Sequence, residues 1–125
     1  MQIHFRIRKK EEKEISIMSV KKIELTRENF KREVLESENP VVVEFWASWS
    51  NECKDFSLAV DDLADKYGGG VKFGKVNIDE EGLLTMENNV NTIPALYIFK
   101  DGEVVSKCVG SRNRDELDVI IQDSI

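Results

Sequence analysis

Short apolar segments alternate with amphipathic ones along most of the chain, a pattern that predicts strands and helices in turn. The clearest segment is 41–46, an almost unbroken apolar run typical of a central strand covered on both faces. Further strands are predicted at 21–25, 71–78, 95–100 and 103–109. Asp101-Gly102 is a strong signal for a two-residue hairpin, so the last strand should return antiparallel to the one before it.

Apolar residues at helical spacing predict four helices between and after these strands. The first follows Thr26 as its cap, the second runs from about residue 50 to 67, and the third is weak and covers about 81–89. The last begins at Asn113, where a capping pattern with Glu116 precedes an apolar stripe. The predicted order is βαβαβαββα, an α/β fold with a mixed central sheet and helices on both faces.

The first seventeen residues differ in pattern from the rest of the chain. Ile3, Phe5 and Ile7 alternate with polar residues before a mixed charge run, which suggests a short strand. A secretory signal would need a continuous apolar stretch of about 7–15 residues, and the pattern lacks one. We therefore expect residues 1–17 to form an N-terminal extension, frayed or added as an edge strand, ahead of a domain spanning 18–125.

Composition narrows the classes of function. The chain has 125 residues, enough for one domain, and its 18 Lys and Arg against 24 Asp and Glu give a net charge of −6. This acidic balance argues against binding to nucleic acid or to an anionic membrane. Two cysteines are too few for a disulfide framework, and with one histidine they cannot supply the four ligands of a structural zinc site. We expect a cytoplasmic protein without a metal or another cofactor.

Five segments, in order along the chain, resemble motifs of the thioredoxin family. Residues 43–54 (VEFWASWSNECK) resemble its active-site segment, in which a strand leads into a Trp-Cys-x-x-Cys-Lys helix start. The other matches are KVNID at 75–79 to the third-strand motif, TIP at 92–94 to the cis-proline loop, and FKDGE at 99–103 with Val109-Gly110 to the closing hairpin. The resemblance covers roughly 19–125 and implies the thioredoxin fold, disulfide oxidoreductase chemistry and protein or peptide clients.

One departure from the family pattern falls at its attacking cysteine, where this chain has Ser50. A hydroxyl is far less acidic than a thiol and forms no disulfide, so Ser50 can neither attack a substrate disulfide nor close a ring. We expect Ser50 to cap the following helix instead. Cys53 aligns with the family's resolving cysteine and falls on the inward stripe, as an inert buried thiol would; a monothiol activated by the helix start is the alternative.

Glu44 and Lys75 are charged residues at positions where the pattern predicts core. The resemblance implies that they transfer protons to and from the resolving thiol. With Ser50 in place, we favour a buried or half-buried ion pair between them, because an unpaired buried charge is costly. Burial together with loss of that pair would raise the pKa of Glu44.

The loop at Ile93-Pro94 could keep a function without the attacking thiol. The resemblance implies a cis peptide bond and a backbone that receives an extended substrate segment as a short piece of added strand. Trp49, Ile93 and Gly110 would form an apolar surface around it, unless Trp49 only packs on its own helix. Cys108 lies on the last strand, so we expect it to be too far from Cys53 for a disulfide and to be a surface or edge thiol without a special role.

Three functions are compatible with these residues. The first is a redox-inactive module that binds an extended peptide of a partner protein. The second is a monothiol enzyme in which Cys53 forms mixed disulfides with glutathione or a client protein. The third is an active disulfide reductase, with thioredoxin reductase as a partner, in which Ser50 replaces a cysteine by engineering.

Overall fold

A five-stranded mixed sheet organises residues 22–125, the part of the chain that this computed structural model describes. The strands are β1 (Ile23–Glu24), β2 (Val41–Trp46), β3 (Lys72–Asn77), β4 (Ala95–Lys100) and β5 (Glu103–Val109). They lie in the order β1-β3-β2-β4-β5. β2 is therefore central, as its apolar run predicts, and pairs in parallel with β3 and antiparallel with β4. The strand predicted from Ile3, Phe5 and Ile7 and the boundary near residue 18 lie outside the described residues.

Four helices connect and follow the strands within residues 22–125: α1 (Lys31–Leu35), α2 (Asn51–Tyr67), α3 (Gly82–Glu87) and α4 (Arg114–Ser124). A single 3-10 turn, Gly68–Gly70, follows α2. The predicted order βαβαβαββα is confirmed. α1 is shorter than predicted and wider than an α-helix, since the Glu36 N–H donates to the Lys31 carbonyl five residues back at 2.8 Å. The turn before it is held by Thr26 and Asn29, whose side chains each accept from the other's backbone N–H.

The core lies on both faces of the sheet, because alternate residues of each strand point to opposite sides. The face under α2 and α4 is built from Val42, Phe56, Val60, Leu63, Ala64, Val71, Phe73, Leu96, Ile98, Cys108, Leu117 and Ile121. The other face, under α1 and α3, is built from Leu25, Phe30, Val34, Val41, Val43, Phe45, Val76, Leu84, Ala95, Tyr97 and Phe99. The side chain at 44 follows the same alternation as Val42 and so points toward α2.

Local turn and capping signals are confirmed at the C-terminal part of the sheet. Asp101 and Gly102 both have positive φ angles, 54° and 81°, as the hairpin between β4 and β5 requires. Asn113 caps α4 and forms a full capping box with Glu116: each side chain accepts from the other's backbone N–H. These two devices fix the direction of β5 and the start of the helix that covers it.

Candidate functional site

Most of the predicted site residues lie at one end of the sheet, where β2 ends, β4 begins and β5 ends. Phe45 near the end of β2 pairs with Ala95 at the start of β4, and Ala95 in turn pairs with the end of β5. The segments that carry Ser50, Pro94 and Gly110 therefore adjoin the same end of the sheet. The Gly110 N–H donates to the Pro94 carbonyl at 2.8 Å, which ties two of these segments together.

Ser50 is the N-cap of α2, as predicted. Its backbone is extended (φ −93°, ψ 116°), and its Oγ accepts from the Cys53 backbone N–H at 3.3 Å. Its own N–H donates to the Ala47 carbonyl at 3.3 Å, and the residue is only 9% exposed. The hydroxyl is thus engaged in starting the helix.

Both cysteines are free, and both are buried. Cys53 is 2% exposed on the inward stripe of α2, as predicted. Cys108 lies on the edge strand β5, as the edge alternative of the prediction has it. Its side chain is 3% exposed and packs in the core under α2 and α4, so the surface alternative is wrong. Alternation along the strand did not reveal the burial of Cys108, because every other residue of β5 is exposed or half-exposed and the strand has no regular buried face. Burial raises the pKa of the Cys108 thiol.

The carboxylate of Glu44 is fully buried and is paired with a lysine other than the predicted one. Its Oε1 accepts from Lys22 Nζ at 2.6 Å, and its Oε2 has no hydrogen-bond partner among residues 22–125. Lys75 lies directly opposite Glu44 in the β2–β3 register, yet its ammonium group sits 5.6 Å above the ring of Trp46. The predicted Glu44–Lys75 ion pair is therefore wrong, because the lysine beside the acid turns toward an aromatic face.

Lys22 and two residues of α2 complete the surroundings of Glu44. Lys22 Nζ donates to Ser57 Oγ at 2.7 Å and lies 3.1 Å from Asp61 Oδ1. Burial raises the pKa of Glu44, and the Lys22 ammonium opposes that rise. Sequence reasoning missed this cluster; helical spacing could have placed Ser57 and Asp61 on the side of Cys53, but nothing local marks Lys22 as buried.

Trp49 is the most exposed of the predicted binding residues, at 66%. Its indole Nε1–H donates to Asp79 Oδ2 at 2.9 Å, so it is anchored by the segment after β3 rather than packed only on its own helix. Ile93 is half-buried, Pro94 is buried, and the peptide bond between them is cis. Asp79 was not predicted as a site residue, since nothing in its spacing marks a partner for an indole thirty residues earlier.

The sequence matches a known protein family over most of its length. The family model described as Thioredoxin matches residues 21–123. The chain belongs to the thioredoxin family. It is 40% identical over 108 residues to thioredoxin C-2 of Corynebacterium nephridii, covering 86% of this chain and all of that protein. It is also 44% identical over 87 residues to thioredoxin 1 of Synechococcus elongatus, covering 70% of this chain and 81% of that protein.

Membership of the thioredoxin family fits both the fold and the region of the site. The matched span includes α2 with its cap, the Ile93-Pro94 loop and Gly110. Redox chemistry on protein substrates is the general activity of thioredoxins. Within residues 22–125, no helix combines the length and the apolar character needed to cross a membrane.

Proposed function

We propose that this member of the thioredoxin family binds an extended peptide segment of a partner protein and does not run a dithiol–disulfide cycle. The observation that carries the proposal is Ser50, which caps α2 at the position where the family has its attacking thiol. Reduction of a substrate disulfide needs one thiolate to attack and a second thiol to release the product by forming a new disulfide. Cys53 is the single thiol at this end of the sheet, so no second thiol is available to release the product.

The backbone next to Pro94 supports binding of an extended segment. The β2–β4 ladder ends at Ala95, and no hydrogen bond to the Ile93 backbone occurs among residues 22–125. An incoming strand can therefore pair with Ile93 as it would with the edge of a sheet. Trp49 has an exposed ring whose N–H is held by Asp79, so the ring itself is available for apolar contact with a bound segment.

Peptide selection tests this binding mode. Peptides selected from a display library on the immobilised chain should bind Trp49→Ala and Pro94→Ala at least about tenfold more weakly, measured by fluorescence anisotropy. Val119→Ala is the matched control, because Val119 is 57% exposed on α4 and should leave binding unchanged. The Trp49 variant keeps the test valid if the proline variant does not fold. Selected peptides that bind both site variants with unchanged affinity would place the binding surface elsewhere.

An ordinary disulfide reductase is the second candidate. Relatives that carry the name thioredoxin are about 40% identical to this chain, which favours the activity if position 50 holds a cysteine in the parent protein. Thioredoxin reductase would then be the expected electron donor. The monothiol alternative is disfavoured because Cys53 is 2% exposed. A cytoplasmic location stays a prediction from the sequence.

Insulin-disulfide reduction by dithiothreitol separates the two candidates. We expect the chain with Ser50 to give no rate above dithiothreitol alone, and Ser50→Cys to give catalytic turnover if the scaffold is competent. Ser50→Cys combined with Cys53→Ser is the matched control, since it has one thiol at the site and should not turn over. Turnover by the unsubstituted chain would refute the redox-inactive proposal, whatever the peptide measurements show.

A further inference from the structure

A cavity of about 460 Å³ lies between the end of β2, one side of α2 and β3. Its size falls in the range of small-molecule sites, about 300–1,000 Å³. The residues that line it are Trp46, Ala47, Ser48, Cys53, Lys54, Ser57, Leu58 and Lys75. Trp49, Ile93, Pro94 and Gly110 are absent from this lining, so the cavity is a separate feature from the peptide surface proposed above.

The wall of the cavity offers positive charge and hydrogen-bond donors. Lys54 and Lys75 both line it, and neither has a carboxylate within 4 Å among residues 22–125. Among residues 22–125, no acidic side chain lines the cavity. Ser57, which lines the cavity, accepts from Lys22 Nζ, and that ammonium group also pairs with Glu44 and Asp61.

Trp46, one of the lining residues, carries an unused donor. Its Nε1–H is buried and has no hydrogen-bond partner among the described residues. A donor withdrawn from water without an acceptor is unfavourable, so the site gains from any ligand that brings an acceptor to it. The Lys75 ammonium lies 5.6 Å from the same indole ring, which brings a cation close to that donor.

We propose that this cavity binds a small organic anion, a carboxylate or sulfonate on an apolar body. The acidic group lies between Lys75 and Lys54 and accepts from Trp46 Nε1–H, while the apolar body contacts Ala47 and Leu58. Charge complementarity determines the class of ligand, because every free charge that residues 22–125 contribute to the wall is positive. The proposal does not depend on whether the protein is redox-active.

Two-dimensional NMR of the indole N–H groups tests binding directly. The chain has two tryptophans, so 2-naphthalenesulfonate should shift one indole signal in a saturable manner. Trp49→Phe assigns the other signal. The neutral isostere 2-naphthalenesulfonamide should bind at least about tenfold more weakly than the sulfonate. No saturable shift of the Trp46 signal, or equal affinities for the two compounds, would overturn the proposal.

Three charge variants locate the anion. Lys75→Gln and Leu58→Glu should each weaken 2-naphthalenesulfonate by about tenfold; Leu58 is 64% exposed, so the introduced carboxylate should not disturb folding. Lys107→Gln is the matched control, because Lys107 also sits over an aromatic ring, that of Tyr97 at 5.0 Å, but does not line the cavity. Equal weakening by the control and by the cavity variants would refute the assigned site.

Discussion

Lys22→Met removes the ammonium group from the buried carboxylate of Glu44 while keeping an unbranched stem of similar length. In the structure the two charges are 2.6 Å apart, with the side chains 5% and 0% exposed. Removing one partner of such a pair leaves the other charge buried and uncompensated, which typically destabilises a protein by about 3–5 kcal/mol. The loss should depend on pH, because Glu44 can escape the penalty by taking up a proton.

The sign and size of this dependence follow from the pKa of Glu44. Burial already raises that pKa above its ordinary value of 4.5, and loss of Lys22 should raise it further. A carboxyl group whose pKa is higher in the folded state loses stability as the pH rises from the unfolded value through the folded one. Because the chain can fold with Glu44 protonated, the ionisation penalty is at most about 1.36 kcal/mol per pH unit above 4.5, about 3.4 kcal/mol at pH 7 and about 0.7 kcal/mol at pH 5.

Urea unfolding followed by tryptophan fluorescence at several pH values measures this effect. With Lys22 present, the raised pKa of Glu44 already imposes part of this penalty, so we expect Lys22→Met to lower the free energy of unfolding by about 1.5–3 kcal/mol near pH 7 and by less than about 1 kcal/mol near pH 5. Combining it with Glu44→Leu should restore most of the loss and remove the pH dependence that Glu44 contributes. Lys66→Met, which breaks the more exposed pair with Asp118, is the control and should lower the free energy by less than about 1 kcal/mol at either pH. A loss of equal size at both pH values would refute the reasoning, since it would mean that Glu44 does not titrate in response.

Two further predictions concern the backbone. Gly102→Ala should destabilise the protein by about 2 kcal/mol or more in urea unfolding, because its φ is +81° and an added Cβ would lie 2.7 Å from the Leu35 carbonyl oxygen. Gly70→Ala, where nothing lies within 4 Å, should change stability by less than about 0.5 kcal/mol, and an equal effect at both glycines would contradict this account. Asn113→Ala should cost about 1 kcal/mol by the same measurement, since it removes the acceptor for the Glu116 backbone N–H, and unchanged stability would show that the capping box contributes little.

Local patterns were sufficient for most of the fold. β2, β4 and β5 begin and end where the apolar runs and the Asp101-Gly102 turn predict. β1 is shorter than predicted, as is α1, where few residues are buried and the periodic signal is weak. Ser50 was predicted as a cap because N-capping depends on residues only three positions apart.

The surroundings of Glu44 could not be predicted from such patterns. Lys75 was expected as the partner because the core pattern and the family resemblance singled it out, and it does lie opposite Glu44 in the β2–β3 register. The true partner, Lys22, precedes β1, and β1 is separated from β2 by the whole width of β3. A long side chain reaching across an intervening strand leaves no periodic trace in the sequence. The hydrogen bond between Trp49 and Asp79 escaped prediction because both residues lie in segments outside the strands, where the sequence has no periodic pattern.

The cap of α2 couples helix stability to the chemistry of one atom, the side-chain oxygen or sulfur at position 50. Ser50 Oγ accepts from the backbone N–H of Cys53, and an attacking sulfur at position 50 would occupy that place. Oxygen is the better acceptor for the helix, whereas sulfur is the better nucleophile and a weak acceptor when protonated. A neutral thiol placed here would weaken the start of the helix, and ionisation would restore a strong acceptor for the Cys53 N–H. The same ionisation produces the nucleophile, so capping and reactivity would rise together at this position.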